Sequence, residues 1–192
     1  MCNRSETVNI FQEAPLSEKH WFVGIVASNS ERRIATALQS MGYECFVATQ
    51  KETKISRGKR KEVERIVIHA HVFVYVTENE RLAILKTNIV KRFMTDVARV
   101  PDRNGRHPLA MIPEKQMERL KFMLFSADSS VENSEIPVYK GSMVRVVRGS
   151  LQGLEGIAGE DSEGKTRIYI ALDFMGSVCV QIDTDSIEVI GQ

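Results

Sequence analysis

The stretch 141–159, GSMVRVVRGSLQGLEGIAG, is the most informative motif in the chain. Val144 and Val146 alternate with other residues, which predicts a strand with one buried face. Glycines at positions 149, 153 and 156 permit tight bends, after which Leu154 and Ile157 return to the core. Three further short segments follow, KTRIYIALDF, SVCVQID and SIEVI. The C-terminal part of the chain therefore predicts a small five-stranded barrel.

The region before this motif shows a different order of elements. Apolar spacing and turn residues predict strand, helix, two hairpin strands, helix, strand and helix. The predicted strands cover 20–27, 43–55, 62–76, 92–97 and 109–112, and the predicted helices cover 31–41, 78–86 and a segment from Pro113 onward. This order predicts an α+β fold, a ferredoxin-like βαββαβ sandwich with an added helix.

The segment 62–76 is predicted to be one continuous central strand. Ile66, Ile68, Ala70, Val72, Val74 and Val76 would line one face, and Val67, His69, His71, Phe73 and Tyr75 the other. Both faces are apolar near Val72–Tyr75, which predicts coverage on both sides. His69 and His71 share a face, but no Cys, Asp or Glu stands nearby in sequence to complete a metal site. An exposed or interface pair is the preferred interpretation.

Composition divides the chain into four parts. Residues 1–19 form a polar lead without the apolar middle of a secretory signal, and 20–125 form the α+β domain. Residues 126–136 contain SADSSVENSE, which has no Lys or Arg and predicts an exposed linker. Residues 137–192 form the barrel.

Bulk composition excludes several classes of protein. The 192 residues are 43% hydrophobic and 27% charged with a net charge of +1, which argues against a histone-like protein. Three widely spaced cysteines suit neither a CxxC metal site nor a disulfide framework, so a reducing compartment is expected. No apolar run approaches the ~20 residues that cross a bilayer, and we expect a cytoplasmic protein without membrane association.

The motif 141–159 resembles the KOW motif in its opening glycine, alternating valines and spaced glycines. Residues from Trp21-Phe22-Val23 through the basic hairpin and the apolar third strand resemble the NGN domain of NusG proteins. The order NGN, linker and KOW is similar to that of NusG-like transcription elongation factors, and the resemblance covers roughly residues 20–191. It implies a ferredoxin-like NGN domain followed by an SH3-like KOW barrel, and a protein that is not an enzyme.

The resemblance implies that the NGN sheet binds the clamp helices of the RNA polymerase β′ subunit. The family has Phe-Pro-x-Tyr-x-Phe-Val in its third strand, where this chain has Ile68-His69-Ala70-His71-Val72-Phe73-Val74. Phe73 carries over, and His71 replaces the tyrosine. The expected polymerase-binding residues are Phe73, His71, Trp21 and Phe22, of which Trp21 and Phe22 also suit the core.

Two further binding sites follow from the resemblance. Basic residues on the hairpin tip and the first helix would contact the non-template DNA strand: Arg32, Arg33, Arg57, Lys59, Arg60 and Lys61. The KOW turn at Phe174 and Met175 would bind a ribosomal protein or Rho. The His-Thr-Thr-Thr run through which RfaH-like proteins touch the polymerase gate loop is absent from 83–88.

Length and lead segment resemble the specialised RfaH and UpxY paralogues, which implies a monomeric antitermination factor on capsular polysaccharide or similar long operons. An alternative is a KOW-containing RNA- or ribosome-binding module. Residues 137–192 carry five Lys and Arg against eight Asp and Glu, which disfavours direct RNA binding by the barrel. No motif indicates catalysis, a cofactor or a metal.

Overall fold

The structure is a computed structural model that describes residues 18–56, 58–134, 141–161, 163–173 and 175–191. Its N-terminal half is an antiparallel sheet between helices, with a two-stranded hairpin projecting from it. Its C-terminal half is a second, six-stranded sheet. None of the described helices combines the length and apolar character that crossing a bilayer requires.

The first sheet has the strand order of a ferredoxin-like fold. β1 (His20–Ile25) lies between β5 (His71–Val76) on one side and the short strands β6 (Arg92–Phe93) and β7 (Met111–Ile112) on the other. β2 (Glu44–Phe46) forms the outer edge beside β5. The order β2-β5-β1-β6 confirms the fold expected from the sequence.

Three helices cover the two faces of this sheet. α1 (Glu31–Ser40) and α2 (Glu78–Lys86) pack with Phe22 and the even-numbered valines of β5 on one face. A capping box between Thr77 and Glu80 fixes the start of α2. α3 (Glu114–Ser126) covers the opposite face, which carries Phe73.

The predicted continuous strand 62–76 is wrong, because the chain bends at residues 67–70. β3 (Thr49–Ser56) and β4 (Lys59–Ile66) form a separate hairpin, and β5 begins only at His71. Ala70 has a φ of 62°, a left-handed conformation that a strand residue does not adopt. The alternation of apolar residues continues through this bend, so periodicity alone does not detect it.

The second sheet contains the five predicted barrel strands and one more. They are β9 (Met143–Val146), β10 (Glu155–Glu160), β11 (Thr166–Leu172), β12 (Gly176–Gln181) and β13 (Ile187–Gly191). Gly153 has a φ of 90°, and a Cβ on Gly156 would lie 2.5 Å from the Tyr169 carbonyl oxygen. Gly153 therefore permits a tight bend, and Gly156 permits the close approach of β11 that a side chain would block.

Residues 127–134 of the predicted linker contact β3 and β12, although most of their side chains are exposed, and the domain boundaries stay a prediction. β8 (Glu132–Ser134) pairs with β12 and extends the second sheet. The side chain of Val131 is fully buried. The amide group of the buried Gln50 donates to the Ser129 carbonyl at 2.8 Å and accepts from the Val131 N–H at 2.8 Å. Residues 135–140 lie outside the described part of the chain.

The two halves pack against each other through α3. Gln116 exchanges two hydrogen bonds with Asp173, to its carboxylate at 2.9 Å and from its backbone N–H at 3.0 Å. Arg119 forms an ion pair with Glu155 at 2.8 Å. Buried residues of both halves, among them Leu120 of α3 and Leu154 of the barrel motif, belong to one hydrophobic cluster.

Candidate functional site

Three of the four expected polymerase-binding residues lie in the core and present almost no surface. Phe73 is fully buried beneath α3, and Trp21 is 4% exposed on the same face of the sheet. Phe22 lies on the opposite face, where the Arg81 guanidinium stacks 6.0 Å from its ring centre. These three side chains therefore have little surface for a direct contact in this structure, and their role as polymerase-binding residues stays a prediction. They sit in the apolar layers between sheet and helices.

His71 is the expected polymerase-binding residue that keeps accessible surface. It lies two residues before Phe73 and therefore on the same face of β5. Its Nδ1 is 2.6 Å from the His69 carbonyl oxygen. Glu31 fixes the bend at residues 67–70, because its buried carboxylate accepts a hydrogen bond from the Ala70 N–H at 2.7 Å.

Beside this turn the structure presents an aromatic surface that the sequence interpretation missed. Phe46, on the edge strand β2, pairs with Phe73 and is only partly buried. Phe125, near the end of α3, is 74% exposed, and its ring centre is 6.4 Å from that of Phe46. We call Phe46, His71 and Phe125 the aromatic surface. Phe125 directly follows the buried Leu124 in sequence, and only its angular position around α3 exposes it.

Helix α3 has two flanks on either side of its core-facing residues. Gln116 and Arg119 bind the barrel, and we call this side the docked flank. The other side carries residues spaced four, three and four apart, which fall on one stripe of a helix. This open flank consists of Glu114, Glu118, Lys121 and Phe125.

The basic residues expected to meet DNA are divided between two places. Lys59, Arg60 and Lys61 are exposed at the hairpin tip, where Lys61 stands directly opposite Lys54. Like charges facing each other across a hairpin are unfavourable without a counter-charge. Arg57 lies outside the described residues.

The two arginines of α1 stand near the base of the same hairpin and differ in their contacts. Arg32 donates to the Glu64 carbonyl at 2.7 Å and forms an ion pair with the Glu64 carboxylate at 3.4 Å. Arg33 is exposed and, within the described residues, forms no ion pair. Among the expected DNA-binding residues that the structure describes, Arg33 and the tip residues Lys59, Arg60 and Lys61 form no ion pair.

The KOW turn is held against α3 through its first residue, Asp173, by the two hydrogen bonds with Gln116. Met175 is half-buried and packs against the shared hydrophobic cluster. Phe174 lies outside the described residues. Of the two side chains expected to bind a partner here, Met175 is therefore partly covered in this arrangement.

Neither a metal-binding cluster nor a reactive cysteine is found among the described residues. They contain no group of three or more His, Cys, Asp and Glu side chains that would hold a metal ion. Burial raises the pKa of the Cys45 thiol to about 11, which keeps it protonated at neutral pH and therefore a poor nucleophile. Burial also raises the pKa of Cys179.

Comparison with known proteins identifies the family. The family model for NusG, described as transcription termination factor nusG, matches residues 19–121, more than half of the chain. The chain belongs to the NusG family. This family consists of non-enzymatic transcription factors that bind RNA polymerase, which confirms that the chain is not an enzyme and supports a role in transcription elongation.

Two solved structures match the chain over most of its length. One is "Domain interaction in Thermotoga maritima NusG", at 14% identity and a TM-score of 0.44, covering 90% of this chain and 98% of the other. The second is an MjSpt4:Spt5 complex, at 12% identity and a TM-score of 0.31, covering 90% and 97%. No curated protein sequence matches the chain.

Proposed function

We propose that this protein is a specialised NusG paralogue of the RfaH and UpxY type that binds the β′ clamp helices of RNA polymerase. It would suppress pausing or termination on capsular polysaccharide or similar long operons, acting in the cytoplasm as a monomer. The protein performs no chemistry in this mechanism. It stabilises the elongating state of the polymerase by binding that state more tightly than the paused one.

The observation that carries the proposal is the aromatic surface on the NGN-like half. Exposed aromatic groups at the centre of a patch supply most of the binding energy in typical protein interfaces. Phe125 and Phe46 lie over a rigid base, because Phe46 also contacts the buried Phe73 at a ring distance of 6.2 Å. His71 follows the turn fixed at Ala70 and lies on the same face of β5 as Phe73, the residue that pairs with Phe46. The role of Phe73 is then to support the surface rather than to contact the clamp helices.

Binding to an isolated β′ clamp-helix fragment tests this proposal. Phe125→Ser and His71→Asp should each weaken binding at least about ten-fold, since each removes or charges a central contact. Val189→Ser, a matched change at an exposed apolar residue of the barrel, should leave binding unchanged. Phe73→Ala is unsuitable because it opens a cavity in the core. Unchanged binding in both Phe125→Ser and His71→Asp would refute the polymerase site.

The basic hairpin supports a second contact, with the non-template DNA strand. Lysine and arginine release counterions when they neutralise phosphates, so this contribution weakens with salt. Replacing Lys59, Arg60 and Lys61 together by alanine should lower the affinity for an elongation complex and flatten its salt dependence. A salt dependence equal to that of the unchanged chain would exclude the hairpin as the DNA contact.

The barrel is proposed to bind a ribosomal protein or Rho through the turn at Phe174 and Met175. Because Asp173 is tied to Gln116, such a partner would meet this turn fully only after the turn leaves α3. The alternative function, an RNA-binding KOW module, is disfavoured by the excess of eight acidic over five basic residues in 137–192.

A further inference from the structure

A cavity of about 190 Å³ lies between the open flank of α3 and the edge of the first sheet. Its wall contains Trp21 and Tyr75, whose ring centres are 5.1 Å apart. Its rim carries three carboxylates, those of Glu44, Glu114 and Glu118. No barrel residue lines it, so it stays open while the barrel is packed on the docked flank.

The cavity already contains one cationic group. The Lys121 ammonium lies 4.3 Å from the centre of the Trp21 ring, a distance typical of a cation–π contact. Among the described residues, neither Lys121 nor any of the three rim carboxylates forms an ion pair within 4.0 Å. The rim therefore holds three negative charges against one positive charge, and the aromatic face is occupied by a flexible side chain of the protein itself.

The cavity is continuous with the aromatic surface. The same Lys121 ammonium is 5.5 Å from the ring centre of Phe46, and Phe46 contacts Phe125. A protein segment that covers Phe125 and Phe46 would therefore pass the mouth of the cavity. A cationic side chain on that segment would meet an aromatic wall and unpaired carboxylates together.

We propose that this cavity, which we call the cation pocket, receives an arginine or lysine side chain of the polymerase segment that binds the aromatic surface. The inference rests on the proposed function and specifies the chemistry of the partner. Lys121 acts as a resident cation that moves aside when the partner binds. Arginine suits the site best, because its planar guanidinium stacks on an aromatic ring while donating to carboxylates.

Because Lys121 already occupies the cation pocket, the proposal predicts that removing its side chain strengthens binding. Lys121→Ala should tighten binding to the β′ clamp-helix fragment by about two- to five-fold, because it removes a competitor for the Trp21 face. Glu118→Lys should weaken binding about ten-fold, since it places a like charge at the pocket. Glu188→Lys, the same charge reversal at an exposed site on the barrel, should change affinity less than about two-fold at the same ionic strength.

Trp21 is the single tryptophan of the chain, so a fluorotryptophan label reports on this pocket alone. The ¹⁹F resonance of the full chain should shift when the clamp-helix fragment binds, and it should shift in the free Lys121→Ala variant in the absence of partner. This measurement separates a change in the pocket from a change elsewhere on the surface. A resonance that stays unchanged on binding would overturn the proposal.

The affinities distinguish this inference from the proposed function. Weaker binding in Lys121→Ala, or unchanged binding in Glu118→Lys while Phe125→Ser loses binding, would overturn the cation pocket and leave the polymerase site intact. Unchanged binding in all of these variants would refute both the cation pocket and the polymerase site. Far-ultraviolet circular dichroism of each variant should match the unchanged chain, since Glu118 is exposed and Lys121 half-exposed.

Discussion

The two flanks of α3 differ in what they contact, although they belong to the same thirteen-residue helix. On the docked flank, Gln116 and Arg119 have their polar groups satisfied by the barrel. On the open flank, Glu118 and Lys121 have no ion-pair partner among the described residues, and Phe125 is largely exposed. The difference shows that one flank holds the two halves together while the other remains available to a partner.

The contrast has a simple geometric origin. Met117, Leu120 and Leu124 face the sheet, and the residues on either side of this stripe point in opposite directions. A side chain one or two positions away in sequence therefore lies in a different environment. Docking of the barrel covers one flank and leaves the other open.

The largest expected effect concerns residues 127–134, the segment that follows α3. Gln50→Ala removes the hydrogen bonds to Ser129 and Val131, and it leaves the buried Val131 N–H and the partly buried Ser129 carbonyl without these partners. Each unsatisfied group costs about 1–3 kcal/mol, so the free energy of unfolding should fall by about 3 kcal/mol in urea titrations. The exposed Gln39→Ala serves as the control. Rapid amide exchange at Val131 should accompany the loss, and protection equal to that of the unchanged chain would contradict the assignment.

A smaller effect is expected from the contact between α3 and the KOW turn. Gln116→Ala removes two hydrogen bonds to Asp173, each contributing about 0.5–1.5 kcal/mol net. The docked arrangement should lose about 1–3 kcal/mol, visible as a larger radius of gyration in small-angle scattering and as altered amide shifts along β11.

Lys115→Ala, on the outer face of α3, provides the matched control for that change and should leave both measurements unaltered. An equal response from Lys115→Ala would mean that the two flanks are not energetically distinct. The contrast between the flanks would then be limited to geometry.

The smallest effect is a dependence of docking on pH. Hydrogen bonding from Arg145, together with the charges of Arg145 and Arg119, lowers the pKa of the Glu155 carboxyl. A lowered pKa means that the contribution of Glu155 is fully present above its ordinary pKa of about 4.3 and is lost as pH falls through the lowered value. Arg145 belongs to the same sheet as Glu155, so only the hydrogen bond and charge of Arg119 link this titration to docking, and docking should weaken as pH falls through the lowered pKa.

Glu155→Gln should remove this part of the pH dependence. The Glu155→Gln variant must be compared with the unchanged chain because the pKa values of Glu52 and Asp161 are also lowered, and these two groups titrate in both proteins. Docking monitored by scattering between neutral and acid pH supplies the measurement. Identical acid profiles for the two chains would show that Glu155 does not link the halves.

Much of the fold was predictable because its signals are local. The capping box at Thr77 and Glu80 marks α2, and the bounds 78–86 predicted for that helix are those observed. The glycine and valine spacing of 141–159 predicts β9 and β10, because each glycine permits a local bend that other residues resist. The bend at Ala70 was missed, since alanine has no intrinsic preference for a left-handed conformation and the buried carboxylate of Glu31 holds it there.

The site was less predictable than the fold. Phe73 and Trp21 have the residue types expected at an interface, yet both lie beneath α3. Phe125 is also aromatic, yet its side chain is largely exposed on the surface. Aromatic residues serve cores and interfaces equally well, so their sequence does not tell which role they take.

By itself the sequence determined the order of elements, the two modules and their resemblance to one family, because turns, caps and apolar periodicity depend on neighbouring residues. The tertiary structure alone decided which aromatic groups are exposed, that residues 127–134 pack between the halves, and that Lys121 rests on Trp21. These features depend on contacts between residues far apart in sequence. Local patterns do not encode the direction from which such residues approach one another.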